Sequence, residues 1–193
     1  MLIIFFVLAV VFIGFTIQRY ANAASMKGKW TVFDSQHYIH GIDNPDGFRV
    51  EYPSGWQPGA YDNGGPKNLG DLRARFTEPH FIFTPKTYLS IWWKRIDKSW
   101  TLEDVRDWYI EENGFNINRE LLEQSRDSFS EITVGADNYP ALTQTFAGGT
   151  ERIVLYLFIV GDEAFVLEFN TKNYNADLEK TFDRMLSSFE VYE

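Results

Sequence analysis

Apolar and polar residues alternate through Phe48-Arg49-Val50-Glu51-Tyr52, and Pro53-Ser54-Gly55 closes the run, which predicts a strand and a turn. Leu72 to Phe76 and Tyr88 to Ile96 predict two more strands. In the second, Leu89, Ile91 and Trp93 share one face and Tyr88, Ser90, Trp92 and Lys94 the other. At Thr101 the period lengthens. Thr101 is placed to cap a helix, Glu103 and Asp104 suit its positive end, and Gly114 marks its stop. Leu102, Val105, Trp108 and Tyr109 form its apolar stripe, which predicts a helix lying over a sheet. A short helix is expected over Asn118 to Ser125.

Ser128 to Val134 and Ala141 to Ala147 predict strands around an Asp137-Asn138-Tyr139-Pro140 turn. Ile153 to Val160 is apolar on both faces, as in an interior strand covered on both sides. Gly161-Asp162 supplies a hairpin turn into Ala164 to Phe169. Asn175 caps a last helix that presents Leu178, Phe182, Met185, Leu186 and Phe189, and Phe189 to Tyr192 closes the chain as an edge strand. Two stretches carry no period. Lys27 to Asp46 reads as irregular, and Gln57 to Gly70, with two prolines and four glycines, reads as a surface loop.

Antiparallel hairpins interrupted by amphipathic helices make an α+β layered domain. The 193 residues suit one such domain with a short appendage, and no internal repeat divides them. The organisation expected is a leader over 1–23, a lead-in over 24–37 and the domain over 38–193.

Leu2 to Phe15 carries no charged side chain and is shorter than the roughly 18 residues of a spanning helix, which fits the core of a signal peptide. Ala21-Asn22-Ala23 offers the small residues a signal peptidase needs. Against cleavage, no Lys or Arg precedes the apolar run, whereas Arg19, Lys27 and Lys29 follow it. An uncleaved anchor extended through Thr16 and Ile17 is the alternative, and only then does the N-terminal segment touch membrane. Both readings place the domain outside the cytoplasm, secreted or anchored at the outer face of the membrane.

The net charge of −9 repels phosphate backbones and argues against nucleic acid as a partner. The absence of cysteine excludes disulfides, a thiol nucleophile, thiolate metal sites and a lipidated N-terminus. His37 and His40, with Asp34 and Asp43 nearby, are candidate metal ligands, but three-residue spacing in an extended segment turns the two rings apart, so solvated histidines are expected. His80 follows Pro79 in a turn. Asp43-Asn44-Pro45-Asp46-Gly47 and Asp62-Asn63-Gly64-Gly65 lack the downstream ligands of a calcium loop and read as Asx turns. Ala147-Gly148-Gly149-Thr150 precedes a strand, not the helix a phosphate loop needs. Glu103-Asp104 and Glu111-Glu112 read as solvated helix faces, and no Gly-x-Ser-x-Gly elbow occurs. No residue is therefore assigned a catalytic, cofactor or metal role, and the chain is not expected to be an enzyme. Trp92, Trp93, Trp100 and Trp108 form either a sugar-stacking platform or core, and helices on both sheet faces favour core.

Gly47-Phe48-Arg49-Val50-Glu51-Tyr52-Pro53-Ser54-Gly55-Trp56 resembles the GFxxxYPxxW opening of PsbP-like proteins. Arg152 to Phe169, followed by Phe182-Asp183-Arg184-Met185-Leu186-Ser187-Ser188-Phe189, is similar to that family's paired strands and closing helix ending in SF. The resemblance spans about Tyr38 to Tyr192. It implies a PsbP-like α/β/α sandwich with a mostly antiparallel sheet, extrinsic to membranes and without catalytic activity. It also implies photosystem II as a partner in photosynthetic organisms, with calcium retention attributed to some members. The missing lipidated cysteine and a leader poor in Ser and Arg favour an exported protein of another prokaryote. The function expected is a non-catalytic exported module that binds or assists a membrane-associated protein complex. A binder of extracellular carbohydrate or of a small ligand is the alternative, and the residues of any ligand site are not specified.

Overall fold

A computed structural model describes residues 26, 28–38, 47–60, 72–79, 87–113, 119–149 and 151–192. Ten strands occur among them. They are β1 (Trp30–Asp34), β2 (Phe48–Pro53), β3 (Gln57–Ala60), β4 (Leu72–Thr77), β5 (Tyr88–Arg95), β6 (Ser130–Val134), β7 (Tyr139–Gly148), β8 (Glu151–Val160), β9 (Glu163–Thr171) and β10 (Glu190–Val191). The helices are α1 (Ser35–Tyr38), α2 (Leu102–Trp108), α3 (Arg119–Gln124) and α4 (Ala176–Ser187). A π turn over Tyr109–Asn113 extends α2.

Seven strands form one sheet in the order β3-β4-β5-β9-β8-β7-β6, and β1-β2-β10 form a second. Every pairing described is antiparallel. The protein is thus an α+β domain. β9 is buried at every residue but Asn170, as its place between β5 and β8 requires.

Two apolar clusters flank the large sheet. On one face α2, its π turn and α3 bring Val105, Trp108, Tyr109 and Leu122 onto Trp92, Leu155, Leu157 and Val166. On the other, Phe33, Phe48 and Val50 of the small sheet and Phe182 and Met185 of α4 cover Phe76, Ile91, Phe165 and Phe169. This second face is therefore covered jointly by a helix and a sheet, whereas the sequence predicts helices on both faces. Trp92 and Trp93 enter opposite clusters, as alternation in β5 demands. Each such fully buried apolar side chain contributes about 1.5–3 kcal/mol.

Local signals set most boundaries. Thr101 and Asp104 form a reciprocal capping box at the start of α2. The Asn175 side chain accepts the Asp177 and Leu178 amides, both at 3.0 Å, at the start of α4. Gly161, at φ +62°, makes the β8–β9 hairpin turn.

Several expectations are corrected. Residues 30–38, read as irregular, form β1 and α1. Five β1 residues pair with β2, and Phe33 is buried against Phe48 and Phe76. Gln57 to Ala60, read as loop, is β3 at the sheet edge, where Pro58 and Gly59 are tolerated because only one neighbour needs hydrogen bonds. The regular helix ends at Trp108, and Tyr109 begins the π turn. The β6–β7 turn is Gly135 to Asn138, with Tyr139 and Pro140 already in β7. Phe189 packs beyond the end of α4. The leader, His40, His80, Gly114, Thr150, Asp43 to Asp46 and 61–70 lie outside the described residues.

Candidate functional site

The even-numbered residues of β8 turn Arg152, Val154 and Tyr156 toward α4. On α4, Glu179, Phe182 and Asp183 fall three and four residues apart and share one side. Between strand and helix lies a cleft of about 130 Å³, lined by Arg152, Tyr156, Phe169, Tyr174, Glu179 and Asp183. Its floor is aromatic. Phe169 lies 4.6 Å from Phe182, centroid to centroid, and meets Tyr156 edge-on at 5.9 Å. Tyr174 comes from the link between β9 and α4, directly before the Asn175 cap, so the helix start positions one wall.

The rim is polar. The Arg152 guanidinium sits 3.7 Å above the Tyr174 ring, a cation–π contact. The Tyr174 phenol donates to Glu179, which raises its pKa first, with burial second. Burial pushes the Tyr156 phenol up to about 12, and the charges of Asp183 and Glu179 add to the shift. Both phenols stay protonated at neutral pH and so keep a proton to donate. A general acid or base works best with a pKa near the working pH, and these two are driven away from it. The arrangement is equipped to hold a ligand through charge and hydrogen bonds.

A second polar group lies beneath the α2 layer. Glu168, wholly buried in β9, accepts from the Tyr109 phenol at 2.9 Å, the Trp92 indole at 3.3 Å and the Tyr88 phenol at 3.5 Å. Burial is the main cause that raises the pKa of both tyrosines, and the Glu168 charge adds to it. Beside them Arg75 donates to Ser90 at 2.9 Å and stacks 4.7 Å from the Tyr88 ring. In register, Arg75 pairs with Ser90 and Ser90 with Glu168, so the three form one polar row across the sheet. No cavity opens onto Glu168 among the pockets described, and its role is to bind the π turn to the sheet.

A wider depression of about 370 Å³ lies at the β7–β8 hairpin, with Leu121, Phe146 and Ile153 in its wall and the Lys172–Glu151 pair, 3.4 Å apart, at its rim.

The residues weighed from sequence do not meet in one place. His37 is exposed on α1, with Nδ1 3.4 Å from Asp34, whose carboxylate also accepts the Gln36 amide at 3.0 Å. Among the described residues no three His, Asp or Glu side chains converge as metal ligands. Asp104 is committed to the Thr101 cap, whose backbone and hydroxyl bonds hold its carboxyl below the usual range. Glu111 is exposed on the π turn. Gly148 and Gly149 join β7 to β8. Of the six tryptophans, Trp56, Trp92, Trp93 and Trp108 are buried in the core and Trp30 and Trp100 are half-buried. Sequence reading missed Tyr156, Tyr174, Glu179, Asp183 and Glu168. Two signals were visible: a tyrosine between Leu155 and Leu157, and a glutamate between Leu167 and Phe169, each polar inside an apolar strand.

No family model matches the chain, and no curated protein does. Among solved structures, it is similar to cyanobacterial PsbP from Synechocystis at 17% identity and a TM-score of 0.47, over 84% of this chain and 93% of that one. It is also similar to a protein of Bacteroides thetaiotaomicron at 18% identity and a TM-score of 0.44, over 79% of this chain and 48% of the other. The chain thus spans about half the length of the second protein. The first of these carries the name of the family that the sequence motifs resemble.

Proposed function

We propose that this chain is a non-catalytic, exported, PsbP-like module that docks a protein partner outside the cytoplasm, and that the cleft between α4 and β8 is part of the docking surface. The observation that carries this reading is the makeup of the cleft. One guanidinium, two protonated phenols and two carboxylates converge over an aromatic floor, with no nucleophile among them. Arg and Tyr are the residue types that concentrate binding energy in protein interfaces, because each combines broad contact area with directional donors. Export rests on the apolar Leu2–Phe15 run and the Ala21-Asn22-Ala23 site. A photosystem II role follows from the family resemblance only where the source is photosynthetic.

Affinity capture with the full chain from membrane extracts of its native source tests the proposal. The expected result is one recurrent protein partner, captured less by an Arg152→Ala variant with a native circular dichroism spectrum. Repeated capture without a recurrent partner would count against docking. N-terminal sequencing of the native protein reads whether Ala24 begins the mature chain or the leader stays as an anchor.

A further inference from the structure

We propose that the cleft between α4 and β8 receives the ammonium end of a lysine side chain from the docked partner. The inference rests on the docking reading above and adds the chemistry of the group received.

Charge selects a cation. Two carboxylates face one guanidinium across the cleft, and that guanidinium already lies against the Tyr174 ring at 3.7 Å. An incoming anion meets Glu179 and Asp183; an incoming cation meets two acceptors with unused capacity. Tyr174 occupies part of Glu179, but a carboxylate offers about four lone-pair sites. Asp183 has no hydrogen bond or ion pair among the described residues, and it lies close enough to Tyr156 to raise that phenol's pKa. A divalent metal is poorly served, because no third carboxylate or imidazole joins the pair among the described residues. An ammonium has three donors and can share them between carboxylates and the Tyr156 oxygen.

Lining and donor geometry select lysine. A single water needs only about 10–15 Å³ of cavity volume, so a cleft of about 130 Å³ has room for a whole butylammonium tail. The aromatic floor of Tyr156, Phe169 and Phe182 suits the methylenes of such a tail, and ring faces attract its charged end. The three donors of an ammonium rotate freely to share two carboxylates, whereas a planar guanidinium fork favours one carboxylate approached in its own plane.

The test is a titration of the isotope-labelled full chain, followed by amide chemical shifts, with N-acetyl-lysine amide and with its uncharged counterpart, N-acetyl-norleucine amide. The expected result is saturable shifts at Tyr156, Tyr174, Glu179 and Asp183 with the lysine probe, at least about tenfold weaker with norleucine and weakened further by salt. Asp183→Asn keeps the shape and removes the charge; it should lower the affinity for the lysine probe about tenfold while leaving the circular dichroism spectrum unchanged. Equal responses to the two probes, no saturable shift at the cleft, or an unchanged affinity in Asp183→Asn would overturn the inference. Cadaverine bound more tightly than the lysine probe would assign the cleft to free amines and overturn it too. Capture with Asp183→Asn separates the two proposals. A partner recovered undiminished by this variant sinks the lysine contact and leaves docking intact. A wild-type chain that captures nothing sinks docking, whatever the titration shows.

Discussion

The phenol of Tyr109 donates a 2.9 Å hydrogen bond to the carboxylate of Glu168, joining the π turn of the helical layer to the middle of β9, and neither side chain reaches solvent. Removing the donor leaves a buried acceptor short of a partner in a site that water does not enter. Tyr109→Phe is expected to lower stability by about 1.5–3 kcal/mol, the range for a hydrogen bond to a charged group. Urea denaturation measures it. A loss below about 0.5 kcal/mol would show that Trp92 and Tyr88 satisfy Glu168 without Tyr109.

Alkali should unfold the protein for a specific reason. Burial raises the Tyr139 and Tyr156 phenols from their ordinary 10.0 to about 12, and raises Tyr88 and Tyr109 as well. In the unfolded chain phenols ionise near pH ~10, so above that pH the unfolded state binds fewer protons than the folded one. The stabilisation is complete below pH ~10 and is lost as the pH rises through about 12. The urea midpoint is expected to hold up to pH ~9.5 and to fall steadily by pH ~11.5, with less fall in Tyr156→Phe. A flat midpoint across that window contradicts the raised phenol values.

Two hairpin glycines should differ in their tolerance of alanine. Gly161 has φ +62° and nothing within 4 Å of a built Cβ, so Gly161→Ala meets only the left-handed backbone cost, about 1–2 kcal/mol. Gly135, at φ +75°, would put its Cβ 2.7 Å from the Phe189 carbonyl oxygen, the same atom that accepts the Ala136 amide at 2.9 Å. Gly135→Ala therefore bears the backbone cost and a clash that displaces a hydrogen-bonded strand end, for a total above about 3 kcal/mol. Thermal unfolding of the two variants ranks them; equal losses would place Phe189 differently.

The Asn175 cap links stability to the cleft. Its side-chain oxygen accepts two amides, and its Nδ2 donates to the Asn173 carbonyl at 3.1 Å, bracketing Tyr174. Asn175→Ala is expected to cost about 1 kcal/mol, and Asn175→Asp to restore most of it. Faster amide exchange in the first turn of α4 and weaker binding of the lysine probe should accompany the alanine change. An unchanged exchange rate would mean that packing of Phe182 and Met185, not the cap, holds the helix start.

Elements whose signal is local were legible in the residues. The Thr101 and Asn175 caps, the Gly161 turn and the opposite faces of Trp92 and Trp93 depend on spacing within a few positions, and the structure has them where the pattern puts them. β1 and β3 were illegible. Trp30 to Asp34 is short and half exposed, and it becomes a strand by pairing with β2; Gln57 to Ala60 holds a proline and a glycine and becomes one only beside β4. Of the cleft, only Tyr156, a polar interruption inside β8, was visible. Glu179 and Asp183 looked like any solvated helix face.

Periodicity, caps and turn residues by themselves determined the strands and helices from β4 onward, with β2, and which side of each is apolar, because those features are settled between near neighbours along the chain. The folded domain decided that Arg152 and Tyr156 meet Glu179 and Asp183, and that Tyr109 reaches Glu168 across 59 positions of sequence. Strand order and register bring distant side chains within hydrogen-bond reach, and a shift of one residue would turn each of them to the opposite face of the sheet.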